Sequence, residues 1–127
     1  MGIRTTGSRS NRPRQEKKGM IRGMVVWVDL TDALPPEMGK RRPAVIVSNS
    51  VQNVALDSVV AVPLSSRAPE IPPLRIKVRA SGLKTVGYAV VPGIRQLKKS
   101  RIVDTAGSLK EADLETLDEA IRAYLSD

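Results

Sequence analysis

Proline decides most of what this chain can become. Pro35, Pro36, Pro43, Pro63, Pro69, Pro72, Pro73 and Pro92 cut the middle of the sequence into short runs. Proline removes a backbone N–H and clashes with the preceding helical turn, which rules a long helix out of this region. The runs between the prolines are rich in β-branched residues, whose stiff side chains pack well on a pleated sheet. "GMVVWVDL" (23–30) reads as the first strand, and "PAVIVSNS" (43–50) as the second, with Pro43 tolerable only at its start. "SVVAVPLSS" (58–66) is a third, stopped by Pro63. "LRIKVRA" (74–80) alternates apolar Leu74, Ile76 and Val78 with Arg75, Lys77 and Arg79, a half-buried strand with its cations on one face. "GYAVVPGIRQL" (87–97) supplies one or two more, interrupted at Pro92-Gly93. Segments 31–42 and 67–73 are loops, the first of a length that usually carries function.

The C-terminal end breaks this pattern. In "SLKEADLETLDEAIRAYLSD" (108–127), Ser108 and Glu111 form a capping box after the break at Gly107. Leu114, Leu117, Ile121 and Leu125 then fall along one helical stripe. The expected fold is mainly β, within the α+β class: a small SH3-like barrel of five to seven short strands with a C-terminal amphipathic helix. It spans 20–127. Residues 1–19 bury too little to offset the entropy of ordering and are expected to be a flexible basic arm.

Composition then narrows the chemistry. The chain has no cysteine and no histidine, so disulfides, thiolate metal sites and the commonest general base are all absent. Catalysis here would use Arg, Lys, Asp, Glu, Ser, Thr, Tyr or the backbone, with no metal or other cofactor expected. No apolar run approaches the roughly 20 residues of a membrane helix, and a cytoplasmic protein is expected. The net charge is +8. The arm 1–19 carries +5, the body 20–107 carries +7 and the segment 108–127 carries −4. A basic body beside an acidic helix favours a nucleic-acid partner. The densest cluster, Lys40, Arg41 and Arg42, runs straight into Pro43 and an apolar strand.

"EMGKRRPAVIVSNSVQN", "VVAVPLSS", "GIRQLKKSRI" and "GSLKEADLETLDEAI" together resemble, in order and spacing, the MazF/PemK family of toxin–antitoxin endoribonucleases. The likeness covers roughly residues 20–127, and its most specific element is the Arg-Pro pair followed by an apolar strand and Ser-Asn. It implies a CcdB-like barrel and cleavage of single-stranded mRNA without a metal. It also implies a homodimer with RNA across its interface, and a cognate antitoxin whose acidic tail occupies the same groove. Arg42 matches the family's catalytic arginine, Ser65 a catalytic threonine of many members, and Glu37 a glutamate of the preceding loop. Arg95 matches the arginine that opens the last strand segment. Lys40, Arg41, Asn49, Ser66 and Arg67 complete the set expected to touch RNA. The chain departs from many relatives at Met38, Val90, Pro92 and Gly93, where they carry glutamine, arginine or aspartate. An arginine-plus-hydroxyl site is the version that fits.

Elementary chemistry supports that choice. Metal-free RNA cleavage needs a 2′-hydroxyl attacking the adjacent phosphorus, a stabilised phosphorane and a protonated leaving 5′-oxygen. The products are a 2′,3′-cyclic phosphate and a 5′-hydroxyl. Arg42 suits the charge because its planar fork holds two phosphate oxygens, while its pKa makes it a poor base. Glu37 is a candidate base or an orienter of Arg42. With only Trp27, Tyr88 and Tyr124 as aromatics, no stacking platform is expected, and Arg75, Lys77 and Arg79 read as a solvated face. Two other readings stay open on the same barrel: a CcdB-like toxin that binds DNA gyrase, and an inactive nucleic-acid-binding module.

Overall fold

Successive side chains of a strand point to opposite faces of the sheet, and in the central strands of this chain both faces are buried. Val25, Val45, Val62 and Leu64 go to one core, and Val26, Val28, Ala44, Ile46, Val59 and Ala61 to the other. This is why the first strands read as apolar runs rather than strict alternation. The computed structural model describes residues 19–30, 41–67 and 69–126. The basic arm up to residue 18, together with Glu37 and Lys40, lies outside the described residues.

Seven strands form the sheet: β1 (Met24–Asp29), β2 (Arg41–Ile46), β3 (Ser58–Ser65), β4 (Arg75–Val78), β5 (Gly87–Val90), β6 (Arg95–Lys98) and β7 (Ile102–Ser108). All pairs are antiparallel, in the order β4-β5-β3-β2-β1-β7, with β6 also on β3. Two helices, α1 (Ser50–Ala55) and α2 (Glu111–Tyr124), complete the described chain. No helix among the described residues is long and apolar enough to cross a membrane. The mainly β class with a C-terminal helix is as expected, but the strand path does not close into a barrel. Among the described residues its two ends meet at the Ala80–Leu109 bridge, supported by Ser81 N donating to Ser108 O at 3.0 Å and Lys110 N to Arg79 O at 3.4 Å. Gly82 and Gly107 permit this approach, since a Cβ on Gly82 would lie 1.1 Å from Ala106 O.

Proline behaves differently from the expectation at two strands. β2 begins at Arg41, ahead of Pro43, and β3 runs through Pro63 to Ser65. The β2–β3 ladder ends at the Ala44–Pro63 pair, so Pro43 is paired only with Trp27 of β1. Pro63 sits where the edge of β3 changes partner, from β6 at Ala61 to β5 at Leu64. Each proline thus occupies a point where a ladder stops, and its missing N–H is not needed. The interruption at Pro92-Gly93 is the 3-10 turn Val91–Gly93 that carries the chain from β5 to β6.

Three further expectations are corrected. Residues 47–50 leave the second strand, which ends at Ile46 as Asn49 caps α1 by accepting from Gln52 N at 3.1 Å. Inside, Asn53 is fully buried, accepts from Ser48 Oγ at 2.5 Å and donates to Ser48 O at 2.9 Å. Strand β7 has no counterpart in the expected set, since its residues are mostly exposed and its register against β1 shifts twice. Gly107 and Ser108 belong to it, so the capping box does not form and Lys110 takes the N-cap without a side-chain bond.

The acidic first turn of α2 still complements the helix dipole. Leu114, Leu117 and Ile121 join the first core as expected, while Leu125 lies beyond the helix and is exposed. Arg22 fixes the other side of α2 with a fork onto Asp118 at 3.0 and 2.5 Å and a bond to Val47 O at 3.1 Å. The hydrogen bond to Asp118 holds its guanidinium above the ordinary pKa, outweighing partial burial. A raised cationic pKa contributes stability below the unfolded value and loses it only in strong alkali, so this clamp persists across neutral pH.

Along the outer edge of β4, Ile71 bridges Arg75, Lys77 N donates to Glu70 Oε2 at 3.0 Å and, just past the strand, Arg79 N donates to Asp113 Oδ2 at 2.8 Å.

Candidate active site at the end of the central strands

Strands β2 and β3 place the two principal candidates side by side. Their ladder sets Ile46 opposite Ala61 and ends with Ala44 opposite Pro63; the same spacing extended two residues past that end brings Arg42 level with Ser65. Opposed residues of an antiparallel pair share a face, with Cβ atoms about 4.5–5.5 Å apart. Val28 stands opposite Arg42 on the other side, Tyr88 opposite Ser65, and Lys77 opposite Tyr88. One row thus crosses five strands, Val28, Arg42, Ser65, Tyr88, Lys77; every step in it is a paired one except Arg42 to Ser65, which is the extension past the end of the ladder. Exposure rises toward β4, since Val28 and Ser65 are buried, Arg42 and Tyr88 half-buried and Lys77 exposed.

The electrostatics single out one member of the row. Four described arginines are half-buried: Arg22, Arg42, Arg75 and Arg101. Arg22 is forked onto Asp118, Arg75 donates to Arg67 O at 2.5 Å, and Arg101 donates to Asp29 O at 3.1 Å. Among the described residues Arg42 has no hydrogen-bond or ion-pair partner. Withdrawing a guanidinium from water without a partner costs free energy that an anionic ligand would return. Next to it, Ser65 Oγ accepts from Arg67 N at 3.1 Å. That bond fixes the oxygen and leaves the hydroxyl proton to donate.

The remaining expected residues divide. Arg41 is exposed and stands opposite Asp29, while Ser66 and Arg67 are exposed and continue directly from Ser65. Arg95 is exposed at the start of β6, opposite Ala61, and alternation along β3 puts it on the face of Ser65. Asn49 is not brought to this group. It lies past the far end of β2 with its side-chain oxygen committed to α1.

Sequence reasoning missed Tyr88 and Lys77 as neighbours of the site. Alternation in 74–80 showed that Arg75, Lys77 and Arg79 share a face. It carried no signal for which strand lay beside them. A cleft of about 400 Å³ was missed as well; it is lined by Trp27, Pro43, Leu64, Lys84 and Thr85 and bordered by Ser65 and Ser66. By alternation Trp27, Pro43 and Leu64 point away from the Arg42 face, so the cleft opens on the other side of the same strand ends.

Comparison with known proteins adds to this geometry. The family described as PemK-like, MazF-like toxin of type II toxin–antitoxin system matches residues 21–125. Endoribonuclease MazF9 of Mycobacterium tuberculosis is 31% identical over 113 residues, which is 84% of this chain and 96% of that protein. A mycobacterial endoribonuclease solved in complex with its cognate antitoxin is 28% identical, with a TM-score of 0.68 over 83% of this chain and 93% of that one. MazF from Deinococcus radiodurans is 25% identical, with a TM-score of 0.71 over 83% of this chain and 94% of that one.

Proposed function

This chain belongs to the PemK-like, MazF-like toxins of type II toxin–antitoxin systems, and on that footing we propose that it cuts single-stranded RNA at the Arg42–Ser65 row without a metal ion. The observation that carries this reading is Arg42: half-buried, and the one such arginine without a partner among the described residues. Its fork receives two non-bridging oxygens of the scissile phosphate and stabilises the extra charge of the phosphorane. The Ser65 hydroxyl donates to the same group. The 2′-oxygen forms the new bond to phosphorus and gives up its proton. The bond to the 5′-oxygen breaks, and that oxygen takes a proton from solvent water as it leaves. A 2′,3′-cyclic phosphate and a 5′-hydroxyl result. Arg41, Arg67 and Arg95 draw the flanking backbone toward the row, as exposed cations do for phosphates.

In this reading two copies pair with RNA along their interface, and an antitoxin with an acidic tail competes for the same cations. The mycobacterial relative solved with its cognate antitoxin supports that partner. Glu37 either takes the proton from the 2′-hydroxyl or orients Arg42. Glu37→Gln separates these roles. A base would lose the acid limb of the pH–rate profile, whereas an orienter would lower kcat with the limb intact.

The test is incubation of the purified protein with a long RNA in EDTA, followed by end mapping. Discrete cuts with 5′-hydroxyl ends, abolished by Arg42→Ala, are the expected result. No cutting, or cutting by Arg42→Ala at the wild-type rate, would overturn the proposal.

A further inference from the structure

Beyond holding the scissile phosphate, we infer that the row reads one flanking nucleotide: Tyr88 stacks its base and Lys77 holds its outer phosphate. The inference rests on the proposed cleavage at Arg42 and Ser65. Tyr88 is directly opposite both Ser65 and Lys77, so register places its ring on the row between them. Neighbouring strands lie about 4.8 Å apart, which sets Lys77 about 10 Å from Ser65, within the reach of one extended nucleotide. Tyr88 is half-buried in a strand otherwise turned to the core at Gly87 and Ala89, and its hydroxyl has no partner among the described residues. An aromatic held this way presents a π-face that any base can stack on.

The charges around the row agree. Lys77 is exposed and has no ion-pair partner among the described residues. Its neighbour Arg75 is spoken for by Arg67 O, and Lys77 is the cation directly opposite Tyr88. Glu70 binds Lys77 N and places a negative charge just past it, which stops the phosphate track at β4. The subsite therefore takes a single nucleotide beside the cut, chosen by stacking strength rather than by hydrogen-bonded identity.

The experiment uses the full chain and an RNA whose cut site carries one 2′-deoxy nucleotide, so that it binds uncut. A 2-aminopurine replaces the flanking base, on one side of the cut and then the other. Binding should quench the fluorophore at one of the two positions with wild type and Tyr88→Phe, and should leave it bright with Tyr88→Leu. On cleavable RNA, Tyr88→Leu should raise KM about 5- to 100-fold while kcat stays within about twofold. Lys77→Ala, at an exposed position that carries no fold, should flatten the salt dependence of log KM by about 0.7. Wild-type KM and quenching in Tyr88→Leu, or an unchanged salt slope in Lys77→Ala, would overturn the inference while cleavage stands. Failure of the wild type to cut RNA in EDTA would instead bring down the cleavage reading beneath it.

Discussion

Arg42 and Ser65 are separated by 23 residues in the chain and by one strand spacing in the sheet. The roles assigned to them differ in what a substitution should remove. Arg42→Lys keeps the charge but replaces a planar two-pronged donor by a point charge, so kcat should fall on the order of 100-fold, approaching the loss in Arg42→Ala. Ser65→Ala removes one donor from the phosphorane and should cost on the order of 10- to 100-fold in kcat with little change in KM. Full growth arrest by the Ser65→Ala protein on expression would remove the hydroxyl from the mechanism. At this scale the sequence offered Arg42 as a candidate through the family resemblance, whose most specific element, an arginine before Pro and an apolar strand, is a local pattern. It was silent on the row, because Tyr88 and Lys77 reach Ser65 only through pairings between β3, β5 and β4. Long-range register leaves no trace in a local run of residues.

Elements were legible where burial imposed a period. The strands β1, β3, β4 and β5 and the helix α2 all bury apolar side chains against a core, and their sequences show it. The exceptions are β7 and α1. Strand β7 is held mainly by backbone pairing to β1 and is largely exposed, so no apolar period marks it. Helix α1 is built on a buried polar network instead of an apolar face: Val51 and Val54 are exposed, and Asn53 is the residue turned inward. Lys99 closes that network, with its buried Nζ donating to Asn53 O at 2.6 Å and so satisfying a carbonyl in the last turn of α1. Asn53→Ala would leave the Ser48 hydroxyl and carbonyl without their partner, at a cost of roughly 2–4 kcal/mol. The shift of the urea midpoint measures it, and a loss below about 1 kcal/mol would mean that water replaces the amide. Such a helix reads as a loop in the sequence because its polar residues are the structural ones.

At the scale of the molecule, several exposed acids and the cations of the candidate site fall on different faces among the described residues. Helix α2 packs on the first core with Glu111, Glu115 and Glu119 exposed, whereas Arg42, Lys77 and Arg95 lie on the opposite face of the sheet. The basic body and acidic C-terminal segment of the sequence therefore correspond, at these residues, to a physical division between helix and sheet. The two carboxylates bound to β4 bear on a different property, colloidal behaviour. A sheet whose path does not close ordinarily leaves an edge strand that can recruit another chain. Here the outward N–H groups of Lys77 and Arg79 are already taken by Glu70 and Asp113. Glu70→Ala with Asp113→Ala should uncover them and make light scattering rise with protein concentration, where the parent chain stays monodisperse. If the double variant scatters no more than its parent, some other group guards that edge. A sealed edge lowers the tendency of folded copies to add strand to strand as their concentration rises, and so works against fibres.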